Sequence, residues 1–198
     1  MTAPTEPGFP RRGTSVSRML ARRLLGLTGW RVEGELPDCP KFVIIVAPHT
    51  SNWDFGIGIL AMFSTGLRAS WLGKHTVFRF PLTPVLRWLG GEAIDRTSPH
   101  GTVGTAIEHF RTRSQWVLGL SPEGTRRRVD RWKTGFYRIA VGAGVPIVPV
   151  TLDYRTRVLR VGSPVVPGPD EAVEIAKLHA LFHKEMAKYP AKFAEADR

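Results

Sequence analysis

The sequence predicts an α/β architecture, a single domain with a mostly parallel central sheet flanked by helices. Two observations lead there. A continuous β-branched run at Phe42 to Ala47 has the character of a strand covered on both faces, Gln115 to Leu120 reads as another buried strand and Pro146 to Tyr154 as a further strand. Stretches with helical periodicity separate them, and strands alternating with helices of this length build parallel sheets. The chain has 198 residues, enough for one sizeable core and too few for two comfortable ones.

Met1 to Gly13 carries Pro4, Pro7 and Pro10, two glycines and no hydrophobic periodicity, so residues 1–13 read as a disordered, unpaired arm and residues 14–198 as the domain. Ser15 to Thr28 reads as a basic amphipathic helix, with Met19, Leu20, Leu24, Leu25 and Leu27 among arginines and Gly29 as its stop. Such a helix can dock on a core or lie on lipid. After the strand Phe42 to Ala47, Trp53 to Leu67 has a helical pattern, Ala69 to Gly73 that of a short strand and Leu82 to Leu89 that of a short helix. Glu92 to Asp95 follows as a strand, and His100 to Arg113 as a helix. Beyond the strand Gln115 to Leu120, Arg131 to Gly142 reads as helical. Pro146 to Tyr154 and Thr156 to Gly162 read as strands, and Pro169 to Tyr189 as a closing helix with an acidic first turn.

A formal net charge of +11 argues for an anionic partner: nucleic acid, an acidic membrane surface or a phosphorylated substrate. The single cysteine, Cys39, excludes an intramolecular disulfide framework and a multi-cysteine zinc site, and fits a reducing, cytoplasmic setting. No run reaches the roughly 20 apolar residues of a membrane span. His179 and His183 are four apart but have no third ligand nearby, so no metal is expected and the pair reads as a solvated face.

Chemistry concentrates in four short segments: Pro48-His49-Thr50-Ser51-Asn52-Trp53-Asp54, Gly90 to Arg96, Ser121-Pro122-Glu123-Gly124-Thr125-Arg126, and Val145-Pro146-Ile147-Val148-Pro149. His49 and Asp54 are five apart, about 140° around a regular helix and too far to pair on one. With Pro48 before it and Ser51 or Asn52 as N-cap, His49 falls in the loop leading into the helix and Asp54 in the first turn. The histidine can then fold back on the carboxylate, which fixes the imidazole tautomer and stabilises the imidazolium of a general base. Gly119-Leu120-Ser121-Pro122-Glu123 lacks the final glycine of a nucleophile elbow, so the hydroxyl is expected from a substrate. Arg96 and Arg126 stand beside turn residues, where guanidinium groups can bind phosphate or pair with Asp95 and Glu123. His49, Arg96 and Glu123 each follow an expected strand, which places them at one edge of the sheet.

In this order and spacing the four segments resemble those of the glycerol-phosphate and lysophosphatidate acyltransferase superfamily. The likeness covers about Phe42 to Val150, with Gly73-Lys74-His75 and Trp132-Lys133-Thr134-Gly135-Phe136 as further agreements. It implies a glycerolphosphate-acyltransferase-like fold and transfer of a fatty acyl group from acyl-CoA or acyl carrier protein to a lyso-lipid hydroxyl, lysophosphatidate first among acceptors. On this resemblance His49 is the base and Asp54 orients it, and neither cofactor nor metal is needed. Asn52, Arg96, Glu123, Gly124, Thr125, Arg126 and Lys133 would bind substrate, and Pro146 would line a substrate pocket. The sequence departs from many members at Ser121, where an aromatic often stands, and at Arg127 and Arg128, where a small polar residue often follows. A peripheral enzyme on the inner face of the cell membrane, bound to anionic lipid, is the expectation. A basic nucleic-acid-binding module, a non-catalytic lipid-binding module and a thioesterase are the rivals, and no nucleic-acid-binding motif accompanies the charge.

Overall fold

The structure is a computed structural model that describes residues 8–94 and 101–194, apart from the side chains of Lys74, His75 and Ile94. Among the described residues seven strands form one sheet: β1 (Arg31–Glu33), β2 (Lys41–Ala47), β3 (Ser70–Lys74), β4 (Gly91–Ile94), β5 (Trp116–Leu120), β6 (Ile147–Asp153) and β7 (Val158–Val161). Their order across the sheet is β1-β7-β6-β2-β5-β3-β4. Every neighbouring pair is parallel except β6 and β7, which are antiparallel. The sheet is therefore mostly parallel, as the alternating pattern requires. Only the three-residue β1 escaped the sequence reading, being too short to show a period.

The period of two in β2 sorts its side chains onto two cores. Phe42 and Ile44 join Leu25 of α1 (Ser15–Leu27) and Ile57, Ala61 and Met62 of α2 (Trp53–Thr65). Val43 and Ile45 face the other way, joining Phe110 of α4 (Gly101–Thr112), Ile139 of α5 (Gly135–Ala143) and Leu178 of α6 (Glu171–His179). The short α3 (Leu82–Trp88) completes the first layer, with Trp88 against Phe63 of α2. Helix α2 stops at Gly66, whose φ of 74° suits a left-handed cap.

Three expectations are corrected. The second half of the supposed arm is packed: Arg68 N–H donates to Pro10 O and Arg12 N–H to Gly66 O, both at 2.8 Å. The Arg12 guanidinium lies 4.0 Å from the Phe63 ring centroid. Residues 1–7 lie outside the described residues. The helix expected from Arg131 begins only at Gly135, because Trp132 is buried beside His179 and Phe182 and Lys133 N–H donates to Pro122 O at 2.7 Å. The closing helix spans Glu171–His179, not Pro169 to Tyr189. Burial of Phe182, Ala187 and Phe193 draws the chain back onto the core, Tyr154 N–H donates to Met186 O, and Pro190 disfavours helix at the residue before it.

Helix α1 meets the core through Ala21 and Leu25 and leaves Val16, Met19, Leu20, Leu24 and Leu27 exposed. At 100° per residue these five lie on one stripe opposite the buried face. On α3, Leu82, Val85 and Trp88 are likewise exposed, with Phe80 just before them.

Candidate active site

In the register of β2 and β5, Ile45 stands opposite Leu120. The loops after the two strands therefore leave the same carboxyl-terminal edge side by side. His49 comes from one and Glu123 from the other, and His49 N–H donates to both Glu123 carboxyl oxygens at 3.1 Å. The loop then turns into α2 with Asn52 as N-cap, making no side-chain cap bond, and Asp54 in the first turn. Trp53 N–H donates to Ser51 Oγ at 3.2 Å instead.

Asp54 is buried and accepts from three directions. Its Oδ2 takes the Ser51 N–H at 2.8 Å and stands 3.3 Å from His49 Nδ1, while Oδ1 takes the Tyr154 hydroxyl at 2.5 Å. Burial pushes this carboxyl up, but the bonds from His49, Tyr154 and Ser51 outweigh it and hold Asp54 below its ordinary value. It is ionised at neutral pH. Burial, then the bond to Asp54, pushes the Tyr154 phenol well above its ordinary value, so it remains a donor. With Nδ1 committed to Asp54, the proton-accepting nitrogen of neutral His49 is Nε2.

Glu123 behaves in the opposite way. It is 1% exposed, and burial raises its carboxyl to about 7; the His49 amide opposes the rise and the Asp54 charge adds to it.

His49 opens on a cleft of about 1420 Å³, larger than the roughly 300–1,000 Å³ of ordinary ligand pockets. Ile44, Val46, Ile59, Met62, Val150 and Leu159 are among its apolar lining. Arg126, Arg127 and Lys133 stand along it on the β5 side. Gly124, at φ +63°, lets Lys133 lie flat over the turn: a Cβ there would come within 2.8 Å of Lys133 Cδ. Ser121 Oγ is buried without a hydrogen-bond partner among the described residues and lines the same cleft.

Of the residues singled out in the sequence, His49, Asn52, Asp54, Gly124, Thr125, Arg126 and Lys133 come together on this cleft. Arg96 lies outside the described residues. Two do not line it. Glu123 sits beneath the loop, holding the His49 backbone rather than pairing with Arg126. Pro146 precedes β6, where its carbonyl accepts the Val43 N–H at 2.9 Å, roughly 13 Å of strand away from the active edge. Pro146 begins the expected strand, and in a parallel sheet the site lies beyond the carboxyl ends of the strands, so only the resemblance put it on substrate. His179 also departs from the solvated reading: it is buried, with Nε2 2.8 Å from Ala194 O. Among the described residues no group of His, Cys, Asp and Glu could hold a metal ion. Tyr154 and Thr50 were missed, since only the sheet order brings them to Asp54 and the chain end.

The family model described as Acyltransferase matches residues 31–153, from β1 to the end of β6, and so contains the whole His49, Asp54, Glu123 and Arg126 constellation. The chain belongs to the acyltransferase family. Relatives in that family are the 1-acyl-sn-glycerol-3-phosphate acyltransferases of Escherichia coli (strain K12), 33% identical over 73% of this chain and 61% of that protein, and of Haemophilus influenzae, 30% identical over 65% of this chain and 56% of that protein. The chain thus spans about three-fifths of the length of the curated relatives it matches. The crystal structure of the 1-acyl-sn-glycerophosphate (LPA) acyltransferase PlsC from Thermotoga maritima shares the fold, with a TM-score of 0.59 at 20% identity over 84% of this chain and 75% of that one.

Proposed function

We propose that this member of the acyltransferase family transfers a fatty acyl group from a thioester, acyl-CoA or acyl carrier protein, to the free hydroxyl of a phosphorylated lyso-glycerolipid, lysophosphatidate foremost. The observation that carries the reading is the chain Tyr154–Asp54–His49 opening on a large cleft lined by apolar residues and by Arg126 and Lys133. His49 Nε2 takes the proton of the acceptor hydroxyl as its oxygen attacks the thioester carbonyl. Asp54 stabilises the imidazolium, and the departing thiolate recovers that proton as the tetrahedral intermediate collapses to ester and thiol. Arg126 and Lys133, with Arg96, bind the acceptor phosphate; guanidinium does so in bidentate fashion. The apolar cleft holds an acyl chain. The relatives' names as 1-acyl-sn-glycerol-3-phosphate acyltransferases support the choice of acceptor.

The test is thiol release from an acyl-CoA and from an acyl carrier protein, with and without lysophosphatidate, with the lipid product weighed by mass spectrometry. Release that requires the acceptor and yields phosphatidate supports the reading. Equal release without acceptor makes the chain a thioesterase, and no release with any donor or acceptor refutes catalysis.

The same reading places the protein peripherally on an anionic membrane. No helix among the described residues is long and apolar enough to cross one, while the exposed stripe of α1, with Arg23 within it and Arg22 beside it, and the apolar side of α3 suit shallow insertion. Flotation with anionic liposomes, weakened in a Leu24→Glu/Leu27→Glu variant, is the expected result; indifference to lipid would contradict it.

A further inference from the structure

Strand β2 lies between β5 and β6, so His49 has a neighbour on each side. The β5 side carries Arg126, Arg127 and Lys133. The β6 side is built by the segment after α6, which the family match does not include. Tyr154 N–H donates to Met186 O at 2.8 Å and Tyr189 N–H to Thr50 Oγ1 at 3.3 Å, which fasten this segment to the end of β6 and to the catalytic loop. The fastening brings Lys188 Nζ to 5.1 Å from the Trp53 ring centroid and 5.8 Å from that of Tyr154, and Lys192 Nζ to 4.7 Å from that of Tyr189. Trp53, Tyr189 and Lys192 all line the cleft, and Trp53 is 67% exposed. Among the described residues neither ammonium pairs with a carboxylate.

Two cationic lips thus flank one base. A reaction between two phosphate-bearing substrates needs two anion sites, because a single cluster would make the phosphates compete. The lip on the β5 side is the acceptor's in the reading above, on which this inference rests. We infer that the lip formed by Trp53, Lys188, Tyr189 and Lys192 is the donor site, holding the phosphate of the phosphopantetheine arm that carries the acyl thioester. The ammonium groups supply the charge, and the faces of Trp53 and Tyr189 supply apolar surface for the arm. Acyl-CoA and acyl carrier protein share this arm, so the lip serves either donor.

Calorimetric titration of the full chain with phosphopantetheine and with pantetheine, beside steady-state kinetics of Lys188→Gln/Lys192→Gln, tests the inference. Phosphopantetheine should bind and pantetheine should not. In the double variant the KM for the donor should rise about tenfold, the order expected for two lost exposed contacts to phosphate, with the KM for acceptor unchanged and Lys188→Arg/Lys192→Arg restoring the donor value. A rise with both donors supports the inference, and a rise with acyl-CoA alone, which would put the phosphates of its nucleotide end on the lip, overturns it. A rise with acyl carrier protein alone, a rise in acceptor KM, or pantetheine binding as well as its phosphate overturns the inference. Acyl transfer by the wild type with no donor effect in the variant sinks the lip and leaves the function standing. Lysine-dependent phosphopantetheine binding without acyl transfer does the reverse.

Discussion

Glu123 should make this protein less stable as the pH rises towards neutrality. Its carboxyl lies at about 7 in the folded chain against 4.5 ordinarily, so between those values the folded state holds a proton that the unfolded state has released. Stability changes with pH as protons bound unfolded minus protons bound folded, which is negative here, so it falls across the window from 4.5 to 7. At about 1.4 kcal/mol per pH unit, the displacement amounts to about 3 kcal/mol lost by pH 8. Asp54, held below its ordinary value, acts in the other direction and below that window: its contribution is present above the ordinary carboxylate value and lost as the pH falls through its folded one. Glu123→Gln keeps an acceptor for the His49 amide and removes the titration. Its unpaired amide hydrogens cost about 1–3 kcal/mol, which moves the whole curve without tilting it. Urea unfolding of both proteins from pH 4.5 to 8 should show the wild type losing stability where the variant stays level. Parallel profiles would refute the assignment of the slope to Glu123.

Two further outcomes follow from neighbouring contacts. Tyr154→Phe leaves Asp54 Oδ1 buried without its 2.5 Å donor, a loss of about 1–3 kcal/mol; kcat should fall on the order of tenfold with KM for both substrates and the circular dichroism spectrum retained, measured by the thiol-release assay. Gly124→Ala strains a backbone at φ +63° and pushes against Lys133. It should cost about 1 kcal/mol, roughly 2–4 °C in Tm by thermal denaturation, and raise the acceptor KM.

The catalytic pair was legible because its geometry is local: five residues crossing from loop to helix decide where His49 and Asp54 meet. The sheet was legible from the doubly covered runs at Phe42 and Gln115. What escaped depends on order across the sheet. Tyr154 is one hundred residues from Asp54 and reaches it only because β6 lies beside β2. Lys188 sits where periodicity suggested helix and Lys192 just beyond it, and only the burial of Phe182 and Phe193 in the core bends that segment to the cleft. Pro146 and Glu123 were placed on substrate by resemblance to a family pattern, which marks residues that matter without saying whether they touch the ligand or hold the loop that does.

The central claim is that His49 is the base, and acyl transfer by His49→Ala tests it most directly. With acyl donor and lysophosphatidate saturating, the account predicts loss of phosphatidate formation by at least about a hundredfold, as removal of a general base entails, in a protein whose unfolding midpoint and phosphopantetheine binding are kept. Phosphatidate formed at the wild-type rate by that variant would contradict it.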